Sequence, residues 1–119
     1  MNAVIEKTTF ENQVFGLIVG ANARVTTRAS VYSGNSNSGI LAQGGASTAE
    51  VNVDSCIVTN DGVGLYSGDQ GILRVANTFI SGNSFGVLTA GSGIAATFFD
   101  NKLQGNTSDG AFNLGLTTN

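Results

Sequence analysis

The chain has 119 residues, one domain's worth, and a formal net charge of −3. Only 11% of its residues are charged, against about 25% in an ordinary globular domain, and Gly, Asn, Ser and Thr fill the gap with 53 of the 119 positions. The absence of His excludes a His-based triad and His metal ligation, the single Cys56 excludes a disulfide framework or thiolate cluster, and five basic residues leave no phosphate-binding footprint for nucleic acid.

Met1–Lys7 opens the chain without a basic region followed by an apolar stretch, so no signal peptide is expected, and no apolar run is long enough to predict a membrane span. The remainder of the chain is organised as a repeat. Gly16, Gly39, Gly64, Gly86 and Gly110 stand 23, 25, 22 and 24 residues apart. Each is followed by an apolar pair: Leu17-Ile18, Ile40-Leu41, Leu65-Tyr66, Val87-Leu88 and Ala111-Phe112. Each is preceded by an asparagine, in chain order Asn12, Asn35, Asn60, Asn83 and Asn106, and four of these follow a small polar residue by five positions: Ser30, Ser55, Thr78 and Asn101.

In chain order the coils are 1–22, 23–47, 48–70, 71–93 and 94–119, together one domain. Within each, apolar residues alternate with period two, as in Val51-Asn52-Val53 and Leu73-Arg74-Val75. Period two means strands, and no segment sustains a helical period. One such coil cannot bury its own apolar face, but stacked coils can. Stacking sets equivalent residues about 4.8 Å apart, which predicts a ladder of side-chain amides at Asn12, Asn35, Asn60, Asn83 and Asn106. The lack of Pro fits strands that donate to neighbours on both sides. The predicted core is Val4, Leu17, Val25, Ile40, Val51, Val53, Ile57, Leu65, Leu73, Val75, Ile80, Val87 and Leu103. Cys56, alternating against Ile57, is expected to face outward.

Residues such as Ser55-Cys56-Ile57-Val58-Thr59-Asn60-Asp61-Gly62-Val63-Gly64-Leu65 resemble the coil repeat of the pectin lyase-like superfamily. The resemblance covers essentially the whole chain and implies an all-β, right-handed parallel β-helix of about five coils, each of 22–25 residues. It implies little about activity, because the superfamily includes polysaccharide lyases, glycoside hydrolases, epimerases, phage tail proteins and adhesins. Members usually carry more coils and a helical N-terminal cap, whereas here Val4 already reads as strand. The expectation is therefore a fragment, or open ends covered by another subunit.

Chemistry-bearing patterns are sparse. In the strand after each Gly, Ile18, Leu41, Tyr66, Leu88 and Phe112 are expected to face outward in register, an exposed apolar stripe suited to self-association. Asp54 and Asp100 are expected in one column, two coil steps or about 9.6 Å apart, near the upper limit for an inverting glycosidase pair. Asp and Asn are also favoured at bends for local bonding, and that is the stronger reading of the pair. The superfamily's lyases combine calcium with an Arg or Lys, but Arg74 has Asn52 and Ala96 as stacked equivalents, so no acidic cluster is expected around it. Gly91-Ser92-Gly93-Ile94-Ala95-Ala96 matches a dinucleotide fingerprint without the helix that must succeed it. Asn106-Thr107-Ser108 is a sequon whose Asn belongs to the expected ladder. The outward column Ile5, Thr26, Asn52, Arg74, Ala96 is too irregular for an ice-ordering face. No catalytic residue, metal or cofactor is expected. The expected role is a non-catalytic structural or interaction module, a homo-oligomer through the stripe or the open coil ends. The alternative is a carbohydrate-active β-helix that takes polysaccharide, or a binding portion of one, with Tyr66 and Phe112 as stacking platforms.

Overall fold

The computed structural model describes residues 1–117. The first turn is β1 (Asn2–Glu6), β2 (Thr9–Glu11) and β3 (Phe15–Val19); the second is β4 (Arg24–Arg28), β5 (Val31–Ser33) and β6 (Ser38–Ala42). The third is β7 (Ala49–Asp54), β8 (Ile57–Thr59) and β9 (Val63–Ser67), and the fourth β10 (Gly71–Ala76), β11 (Phe79–Ser81) and β12 (Phe85–Thr89). The fifth is β13 (Ile94–Thr97), β14 (Lys102–Leu103) and β15 (Ser108–Gly110), after which β16 (Leu114–Gly115) returns to the first sheet. No helix occurs among the described residues.

Every strand pairs in parallel with its equivalent one turn away, giving three sheets: β1-β4-β7-β10-β13-β16, β2-β5-β8-β11-β14 and β3-β6-β9-β12-β15. This is a right-handed parallel β-solenoid of about five turns. The alternation of side chains fixes it, because a register slip of one residue would turn each apolar set out to water. The first sheet sends inward Ala3, Val25, Val51, Leu73 and Ala95 in one column and Ile5, Thr27, Val53, Val75 and Thr97 in the next. The second sends in Phe10, Tyr32, Val58, Ile80 and Leu103, and the third Leu17, Ile40, Leu65 and Val87. Tyr32 is fully buried, stacked on Phe10 with ring centroids 4.9 Å apart, and its hydroxyl lies 2.7 Å from Thr27 Oγ1. Burial pushes its pKa up to about 12.

Two members of the expected core are misplaced by one residue. Val4 is 68% exposed and heads the outward column with Thr26 and Asn52, while Ile5 packs inside. Ile57 is 44% exposed in an outward column with Val31 and Phe79, while Val58 fills the interior. For Ile57 the cause is the bend before β8. Ser55 takes a left-handed φ of 55°, which turns Cys56 and then Val58 inward. Cys56, expected outside, is therefore buried, with Sγ 3.4 Å from the Asp54 carbonyl and 3.6 Å from that of Thr27. Burial raises its thiol pKa, so it is an inert filler rather than a reactive group.

Candidate functional site

Polar or exposed chemistry is carried, among the described residues, by two side-chain columns at the corners, by the outer faces of the first and third sheets, and by the exposed Ile57 and Phe79 of the second.

The ladder lies at the corner between the second and third sheets. Asn35 and Asn83 are buried and Asn106 half-buried, and each reaches back one turn to a backbone carbonyl: Asn35 Nδ2 donates to Phe10 O (3.2 Å), Asn83 Nδ2 to Val58 O (3.1 Å), Asn106 Nδ2 to Ile80 O (3.1 Å). Each side-chain oxygen accepts from the backbone of the turn below: Gln13 N–H to Asn35 Oδ1 (3.1 Å), Asp61 N–H to Asn83 Oδ1 (2.8 Å), Asn83 N–H to Asn106 Oδ1 (2.9 Å). Asn12 and Asn60 do not belong to this column. They stand one residue earlier, exposed, with φ of 58° and 59°, in register with Gly34, Gly82 and Gly105 at 70°, 75° and 78°. That corner needs a left-handed residue, which Asn and Gly both tolerate. The ladder positions in those two turns are Gln13 and Asp61, and Asp61 Oδ1 accepts from Asn35 N–H (2.8 Å) and Asn35 Nδ2 (2.9 Å). Asp109, in register with Gly86 rather than in the column, caps Asn106 from within the same turn, its Oδ1 accepting from Asn106 Nδ2 at 2.9 Å. Gly64 comes after the ladder because a Cβ there would stand 2.8 Å from Gly86 O and 2.9 Å from Asn83 Nδ2.

A second polar column lies at the corner between the first and second sheets. Thr8 N–H donates to Ser30 Oγ (3.2 Å), Cys56 N–H to Thr78 Oγ1 (3.4 Å) and Thr78 N–H to Asn101 Oδ1 (2.9 Å). Cys56, not Ser55, is its member in the third turn. The sequon asparagine Asn106 has its amide committed to Ile80 O and Asp109 Oδ1.

The outer face of the first sheet is polar. Glu50 bridges Arg24 at 2.8 Å and Arg74 at 2.9 Å, so Arg74 does have a carboxylate beside it, reached diagonally across the strands. Those two guanidiniums hold the Glu50 pKa below its usual value. Next to this pair a shallow groove is lined by Thr26, Asn52, Asp54, Arg74 and Phe98. Asp54 and Asp100 do not share a column. Asp54 aligns with Ala76, whereas Asp100 is one position further on, its Oδ1 accepting from Asn77 N–H at 2.9 Å. The paired-acid geometry is therefore not built, and no cluster of three or more metal-ligating side chains occurs among the described residues.

The outer face of the third sheet is apolar. Ile18, Leu41, Tyr66 and Leu88 stand in strict register on β3, β6, β9 and β12. Ile18 is 56% exposed and the other three are half-buried. Phe112 does not extend the row. Gly110 pairs with Val87, which gives the next outward position to Ala111, and Phe112 turns in against the core. The sequence spacing misled because Gly110 sits one residue beyond the Gly column, whose place in that turn is taken by Asp109. The face is wider than the row, since Phe15, Val63 and Phe85 lie on the same strands, with Phe85 45% exposed.

A family model described as a right handed beta helix region matches residues 1–119. No curated protein and no solved structure matches the chain.

Proposed function

Because the chain belongs to the right-handed beta helix family over its whole length, we propose that it is a non-catalytic interaction module that self-associates through the outer face of its third sheet. The observation that carries this reading is the apolar row Ile18, Leu41, Tyr66 and Leu88, flanked by Phe15, Val63 and Phe85. A second copy is the occupant that charge favours. Each chain carries a formal net charge of −3, yet β3, β6, β9 and β12 contain no charged residue, so two copies meeting across these four strands bring no like charges together. Flat sheets pack face to face at about 10 Å, with side chains of both interdigitating, and each large apolar side chain removed from water contributes about 1.5–3 kcal/mol before the cost of association.

Light scattering on a sizing column tests this. The expected mass is a clean multiple of 12.1 kDa, and Leu41→Asp with Leu88→Asp should reduce it to that of one chain. A wild-type protein that runs as a single chain, or a double variant that keeps the wild-type mass, overturns the reading.

A second reading rests on the groove of the first sheet, where Arg74, Asn52, Thr26 and Asp54 offer donors and acceptors beside the Phe98 ring. That combination suits a saccharide: hydroxyls meet the polar groups and a sugar face meets the ring. Titration with a panel of acidic and neutral polysaccharides tests it, and Arg74→Ala is expected to weaken binding by roughly 10- to 100-fold, the worth of a charged hydrogen bond. No binding across the panel removes the reading.

A further inference from the structure

The ladder contains one carboxylic acid where its other full members are amides, and this acid is buried. Asp61 is 3% exposed. Its Oδ1 takes the part of an Asn oxygen, accepting from Asn35 N–H and Nδ2. Its Oδ2 has no hydrogen-bond partner among the described residues. In the turns of Asn35, Asn83 and Asn106 the second side-chain atom is a nitrogen that donates to the carbonyl of Phe10, Val58 and Ile80 respectively. Those carbonyls belong to one column, Phe10-Tyr32-Val58-Ile80. The member left without such a donor is Tyr32, one turn back from Asp61.

We propose that in mildly acidic solution Asp61 stands in the folded solenoid as the neutral acid, with its Oδ2–H donated to the Tyr32 carbonyl, and that its ionisation as the pH rises loosens the seam between the second and third turns. A carboxylate has only acceptors, so an ionised Oδ2 would set lone pairs against the carbonyl oxygen. Protonation supplies the donor that the amides supply elsewhere, and the carbonyl has a second lone pair to receive it.

No counter-charge offsets the ionised form. β5, β6, β8, β9, β11 and β12 carry no charged side chain. Their titratable groups are Tyr32, pushed up to about 12 by burial, and Tyr66 on the outer face. Cys56, in the same turn, has its thiol pKa raised by burial and stays neutral. On the side of β6, a Cβ at Gly39 would stand 2.8 Å from Oδ2, so backbone closes that approach. Desolvation accordingly raises the Asp61 pKa from 3.8 to about 6, against the lowering effect of the two Asn35 bonds. The folded value lies above the unfolded one. The stabilisation is therefore whole below about pH 4 and is lost as the pH rises through about 6.

The test is chemical unfolding of the full chain, wild type and Asp61→Asn, at pH 4.5 and 7.5 and one protein concentration. The Asn35, Asn83 and Asn106 geometry predicts that the new amide donates to Tyr32 O at every pH. Between the two pH values the folded-to-unfolded ratio of the wild type should fall by roughly 10- to 100-fold relative to that of Asp61→Asn. Glu50, whose pKa is lowered, acts in both proteins and cancels in the comparison. A carbon-13 titration of the Asp61 carboxyl supplies a readout independent of folding, with a midpoint expected near 6. A ratio that does not move with pH, or a carboxyl that titrates in the ordinary range near 4, overturns the proposal.

Discussion

Replacing Asn83 by Ala is expected to lower the free energy of unfolding by about 3–5 kcal/mol, while replacing Asn60 by Gly is expected to change it by no more than about 0.5 kcal/mol. The two asparagines stand in consecutive turns and read alike in the sequence, so the contrast isolates what the ladder contributes. Asn83 is buried and makes three separate connections. Its Oδ1 accepts from Asp61 N–H, and its Nδ2 donates to Val58 O and to Asn106 Oδ1. Alanine leaves the Asp61 N–H buried without an acceptor and strips a donor from the Val58 carbonyl. Each orphaned group costs about 1–3 kcal/mol, and the void adds to it. Asn60 faces water, and its place depends on a left-handed φ of 59° that Gly adopts at no steric cost. Alanine at the same place is expected to cost about 1–2 kcal/mol, the penalty of a Cβ in that conformation. Urea unfolding of the three variants checks all of this. Equal losses at positions 60 and 83 would mean that the column has been assigned wrongly.

Tyr32→Ala is expected to cost about 3–5 kcal/mol, and Tyr32→Phe about 1–2 kcal/mol. Tyr32 is among the largest side chains wholly enclosed by the solenoid, and it fills the interior between Phe10 and Val58. Alanine would open a cavity that stacked backbone cannot close, since the spacing of turns is set by hydrogen bonds rather than by side-chain size. Phenylalanine keeps the stack on Phe10 and removes only the bond to Thr27 Oγ1, leaving that hydroxyl with a 4.0 Å contact to Cys56 Sγ. With a net stability of about 5–15 kcal/mol for a domain of this size, the alanine variant lies at the edge of folding. Thermal melts followed by circular dichroism separate the two cases. A phenylalanine variant as unstable as the alanine one would place the energy in the hydroxyl bond instead of in the packing.

The two largest departures from the sequence reading share one cause. Asn and Gly are interchangeable at a left-handed corner, so an alignment on Asn alone mixed two columns. Aligning dipeptides would have separated them. Asn12-Gln13, Gly34-Asn35, Asn60-Asp61, Gly82-Asn83 and Gly105-Asn106 each end five residues after Thr8, Ser30, Cys56, Thr78 and Asn101. That alignment places Cys56 in the inward polar column without a gap and exposes Asp61 as the acid among amides. The Asp54/Asp100 pairing failed for the same reason, since counting back from Asn60 instead of Asp61 shifted Asp54 by one.

The architecture is legible in the residues alone. A spacing of 22–25 residues, strict alternation of apolar residues and the absence of Pro leave a stacked parallel solenoid as the arrangement that buries these side chains and pairs these strands. The sequence also determined four of the five residues in the outward row, because Ile18, Leu41, Tyr66 and Leu88 keep a fixed distance from the Gly that comes after each corner. Phase at the bends, by contrast, emerges only in the folded chain. A left-handed residue, Ser55 or Gly110, rotates the chain there, so one position decides whether Cys56, Ile57 or Phe112 points to core or to water. The Glu50 bridge to Arg74, across 24 residues of chain, and the unpartnered oxygen of Asp61 likewise depend on how side chains of different turns meet, and at such separations spacing alone sets no side-chain direction.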